Sequence, residues 1–126
     1  MLRPLGAASQ VRRLVAAALD DLPSQYADRL SNVDFVVLRG PSRLERKRLA
    51  LRGERLYGLY EGIPLTRRDT SYGNVMPDRI YVFWGPLVRD YPDDSALAEQ
   101  VRKTVYHEIA HHFGLSDADL HRTSVE

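Results

Sequence analysis

Between Ser95 and Phe113 the apolar residues Leu97, Val101, Val105, Ile109 and Phe113 return every four positions, and Gly114 follows at once. A chain of 126 residues that gives so long a stretch to one apolar stripe has to build its core against that helix. Asp93, Asp94 and Ser95 offer the side-chain acceptors that start a helix, so the spacing predicts one over 95–113. His107 and His111 lie four residues apart on it, with Cβ atoms about 5–6 Å from each other. His107 falls about 200° round the helix from Val105 and from Ile109, so the histidine pair should turn from the core toward a cleft.

Two imidazole nitrogens on neighbouring turns can meet one cation at about 2.0–2.1 Å. A third group further along the same helix would point along the axis, so the chain must turn, and Gly114 can take the left-handed conformation that closes a helix. Leu115, Ser116 and Asp117 then bring a carboxylate back toward the pair, making Asp117 the expected third ligand. His121, four residues beyond, and Asp119 are the competing choices. Glu108 lies about 100° from His107 and about 60° from His111, flanking the pair as a base rather than a ligand. Three protein ligands leave a fourth position for water, which is how catalytic zinc is held. The plainer alternative is a solvated helix end whose histidines bond to terminal carbonyls. His112 is rotated about 100° off the ligand face and reads as a supporting or surface histidine.

Cysteine is absent, so any zinc site must be made of nitrogen and oxygen donors, which favours a catalytic over a structural ion. The length fits one domain over 1–126, with residues 1–8 expected to be a flexible tail. The net charge of +1, from 18 basic and 17 acidic residues, gives no global field for a polyanion. No stretch approaches the ~18 apolar residues of a membrane span, and no leader pattern opens the chain, so a cytoplasmic protein without a membrane partner is expected.

The remaining elements follow from local pattern. Val11, Leu14, Val15, Ala18, Leu19 and Leu22 predict a first helix over 9–22, interrupted by Pro23. A short helix over 23–30 follows, then strands over 33–38, 56–60 and 80–84, the last stopped by Gly85 and Pro86. Residues 42–51 are charged and weakly helical in pattern. The expected class is α+β: a small three-stranded mixed sheet packed with an N-terminal helix and the C-terminal histidine helix.

The segment from His107 to Asp117, an HExxHxxGxxD pattern, resembles the minimal zincin family of small bacterial α/β domains. Residues 59–66 and 76–80 stand where that family has its other recurring segments. The resemblance implies Zn2+ bound by His107, His111 and Asp117, with Glu108 as general base in peptide hydrolysis. In larger zincins an extended substrate peptide pairs with an edge strand above the motif helix. Residues 79–84 are the candidate for that edge, the alternative being a central strand buried on both faces. The chain departs from metzincin proteases in having no methionine after the motif, Met1 and Met76 being its only two. Only nine residues follow Asp117, so no C-terminal subdomain is expected to wall a deep specificity pocket.

Three functions compete. The first is a zinc metallopeptidase acting on a peptide or protein substrate. The second is a metal-dependent ribonuclease, since a family of small rRNA-processing metalloproteins has a similar His-x3-His-x5-His spacing, although with glycine where Glu108 sits. The third is a non-catalytic zinc-binding interaction domain. The basic residues Arg39, Arg43, Arg46, Lys47, Arg48, Arg52 and Arg55 read as a solvated face, because no aromatic residue interleaves them for base stacking. A stabiliser for developing negative charge could come from Tyr57, Tyr60, Tyr72 or Tyr81, while Tyr106 faces elsewhere.

Overall fold

Val11, Val15 and Ala18 recur on one side of the first helix and are buried there, which is why the polypeptide coils at this point and lies down on its apolar stripe. The computed structural model describes residues 6–44, 46–47, 57–62 and 77–114. Helix α1 spans Ala7–Asp20, two residues ahead of the pattern, and Ala7 is already buried. Pro23 opens a single turn, α2 (Ser24–Ala27), and the last part of the expected helix tightens into a 3-10 turn at Asp28–Leu30.

Strand β1 (Val33–Leu38) turns Val33, Phe35 and Val37 toward the core. β2 (Gly58–Glu61) is antiparallel to β3 (Asp78–Phe83), while β1 is parallel to β3, giving the order β1-β3-β2. The sheet is therefore mixed, as expected. Strand β3 begins at Asp78, two residues before the apolar run suggested, and the register Val33↔Asp78, Phe35↔Ile80 and Val37↔Val82 puts Asp78 on the same inward face as Ile80 and Val82.

Gly85 and Pro86 do not simply stop the third strand. They lie in the first turn of a further helix, α3 (Trp84–Asp90), where a proline removes no helical hydrogen bond because the first four N–H groups have no partner within the helix. Gly85 donates its N–H to the carbonyl of Arg39 at 2.8 Å, and a Cβ there would stand 2.5 Å from that oxygen, so only glycine allows the approach. Within the charged segment after Pro41, Arg46 N–H bonds to Ser42 O at 2.9 Å in a helical turn; residues 48–51 lie outside the described residues.

Helix α4 (Asp94–His112) starts where Asp93 accepts a hydrogen bond from the Ala96 N–H at 2.9 Å. Leu97, Val101, Val105 and Ile109 are all buried, and α4 lies beside α1 with both helices covering the inner face of the sheet. The pair is tied at its margins by Arg102 to Asp21 at 2.8 Å and by the Tyr106 hydroxyl, which donates to Ala18 O at 3.1 Å. No helix among the described residues is long and apolar enough to cross a membrane.

Candidate metal centre

One turn of α4 puts His107 and His111 side by side. Their Nε2 atoms lie 3.1 Å apart, with the rings edge to face at 4.7 Å between centroids, and both side chains are half-buried. Two nitrogens at that separation can both stand about 2.0–2.1 Å from a single point, so the residues fit a shared zinc ion. Phe113 N–H bonds to Ile109 O and Gly114 N–H to His111 O, and Gly114 has φ 78°, the left-handed turn expected after the last histidine of the helix, His112. Asp117, with the alternatives Asp119 and His121, lies outside the described residues, and among the described residues no group of three His, Cys, Asp or Glu side chains is placed to hold an ion.

Glu108 is buried at 8% exposure, on a polar stripe that repeats every four residues as Gln100, Thr104, Glu108 and His112. Gln100 Nε2 donates to Thr104 Oγ1 at 3.2 Å. This stripe faces the sheet. Gly58 of β2 lies against it, where an added Cβ would come within 2.8 Å of Thr104 Cγ2 and 3.3 Å of Glu108 Cγ. Glu108 is thus adjacent to the histidine pair yet walled by the sheet.

His112 is a supporting histidine, not a surface one. It is 2% exposed and its Nδ1 donates to Asp78 Oδ2 at 2.8 Å, while Asp78 is 1% exposed. The Tyr60 hydroxyl donates to the same oxygen at 2.7 Å. Sequence reading missed Asp78 and the role of Tyr60. The signal was the alternation Asp78, Ile80, Val82, which puts the aspartate on the buried face once the strand is extended back by two residues.

The tyrosine candidates sort themselves by their partners. The Tyr57 hydroxyl donates to Asp90 at 2.6 Å, Tyr60 to Asp78, and Tyr81 to Glu61 at 3.4 Å, while Tyr72 lies outside the described residues. Of the two readings of residues 79–84, edge strand and central strand, the structure bears out the second for residues 79–83. Residues 79–83 belong to β3, which is bonded on both sides, so no peptide can pair with it; β1 and β2 are the strands at the sheet margins among the described residues, and β2 is the one whose Gly58 lies against Glu108.

The family of zincin-like metallopeptidases matches residues 30–125. The chain belongs to that family. The match takes in all three strands, α3, α4 and the segment beyond Gly114, and begins after α1. No curated protein matches this zincin-like chain.

Proposed function

We propose that this zincin-like chain is a zinc peptidase, with His107, His111 and Asp117 as metal ligands and Glu108 as the general base. The observation that carries the reading is the 3.1 Å separation of the two Nε2 atoms beside a carboxylate on the same helix. A zinc ion held by these residues would supply Lewis acidity toward a peptide carbonyl and would lower the pKa of water toward neutrality. Glu108 takes the proton of the attacking water and delivers it to the leaving amine. Its shielded position beneath β2 supports this role, because a carboxylate held away from bulk solvent exchanges its proton with the groups beside it.

The substrate is an extended peptide laid along β2. That strand is at the margin of the described sheet and runs over the helix face that carries Glu108. Glu108→Gln keeps the shape and the histidine pair, so it should bind zinc like wild type and lose peptide cleavage by about 10²–10⁴-fold. Unchanged cleavage by that variant would refute the assignment.

A further inference from the structure

The last turn of α4 is where the helix runs out of its own hydrogen bonds, and it is also the turn that bears His111. Something else must hold it. His112, the next residue, points about 100° round the axis, into the sheet. Its ring is fixed on three sides: Nδ1 on Asp78, Tyr60 edge-on at 5.9 Å between centroids, and Phe113 tilted against it at 5.5 Å. Among the described residues His112 Nε2, which is buried, meets no hydrogen-bond partner, and the bond to Asp78 is the ring's one polar tie there. Asp78 is itself set in the central strand, where its N–H donates to Asn32 O at 3.1 Å and the Tyr60 hydroxyl shares its carboxylate.

We propose that the buried His112–Asp78–Tyr60 unit is a positioning device that pins the last turn of α4 to the sheet and so holds His111 in register with His107 on the turn before it. This rests on the reading of those two histidines as metal ligands. The lever is long. A side-chain tip stands about 5–6 Å from a helix axis, so a rotation of the last turn by about 20° relative to the turn before it would carry the His111 ring nitrogen roughly 2 Å from its place beside His107. Such a displacement equals a whole metal–nitrogen bond. None of the three residues needs to touch a metal or a substrate.

The test uses Co2+ as a spectroscopic probe, together with the imidazole nitrogen resonances of His107 and His111 in the metal-free protein. His112→Leu removes the tie, whereas His112→Asn keeps an N–H donor close to the place of Nδ1. His112→Leu should weaken Co2+ uptake by about 10–100-fold and alter its d–d absorption, and His112→Asn should stay within roughly threefold of wild type. The ring resonances of His107 and His111 should move or broaden in His112→Leu and not in His112→Asn. Tyr60→Phe, which deletes only a hydroxyl, should lower affinity by roughly 3- to 10-fold, and it decides the matter if His112→Leu does not fold. Wild-type affinity in His112→Leu, or in Tyr60→Phe where it stands alone, overturns the proposal, as does equal loss in His112→Leu and His112→Asn. A wild-type protein that takes up no Co2+ would sink the metal reading, and the ring resonances would still report whether the unit positions the pair.

Discussion

Gly58 lies directly against Glu108: a Cβ added to this glycine of β2 would stand 3.3 Å from the glutamate Cγ, 3.1 Å from Tyr81 O and 2.8 Å from Thr104 Cγ2. The strand can pass this close to the histidine helix only because it has no side chain there. Gly58→Ala should cost about 1–3 kcal/mol in urea unfolding and reduce kcat by roughly tenfold or more as Glu108 is displaced. Adding Thr104→Ser removes the nearest carbon while keeping the hydroxyl that Gln100 bonds, so the double variant should regain part of both losses.

Gly62, just past β2, has the same relation to Asp78, since a Cβ there would overlap the buried carboxylate. Gly62→Ala should destabilise the protein by about 2–3 kcal/mol, measured from the urea midpoint at unchanged slope. Overpacking is the named cause, so Gly62→Ala should cost less in an Asp78→Ala background than in wild type, even though Asp78→Ala carries its own loss from the bonds to Tyr60 and His112.

The contact between α1 and α4 gives a prediction that leaves the site alone. Tyr106 is buried and its hydroxyl donates to Ala18 O, far from the ligand face. Tyr106→Phe should lower stability by about 0.5–1.5 kcal/mol and leave zinc affinity unchanged.

Alkaline pH should act through Tyr57. Its hydroxyl titrates well above the ordinary tyrosine value of 10.0, chiefly because burial disfavours the phenolate and then because the hydroxyl donates to Asp90. A group whose folded-state value is raised stabilises fully below its unfolded value, and that contribution is lost as pH climbs above it. Stability should therefore decline from about pH 10 upward. Tyr57→Phe should make that decline shallower in melting curves taken at pH 8 and 10.5.

Much of this was legible in the residues, and the reasons differ by element. The four-residue repeat through Leu97, Val101, Val105 and Ile109 announced α4, since a regular helix converts spacing directly into a face. The turn at Gly114 followed from the need to stop that helix. Helix α3 was hidden because Gly85 and Pro86 are read locally as breakers, whereas their place in a first helical turn depends on where the preceding strand ends. The central position of β3 was one of two readings of an apolar run, and the structure decides for it, because a strand apolar on both faces does not by itself say which neighbours it pairs with. Tyr60, Asp78 and His112 are 18 and 34 residues apart along the chain, and it takes the β2–β3 register and the packing of α4 on the sheet to unite them. Residues 59–66 and 76–80, noted beside the histidine motif in the sequence, supply Tyr60, Gly62 and Asp78 to that one buried point.

Metal uptake by the histidine pair is measured by calorimetric titration with Zn2+ in wild type, His107→Ala and His111→Ala. One ion per wild-type chain, with affinity lost by either substitution while the unfolding midpoint of the metal-free protein stays put, is the predicted result. Absence of uptake by wild type, or uptake undiminished when either ring is removed, would contradict it.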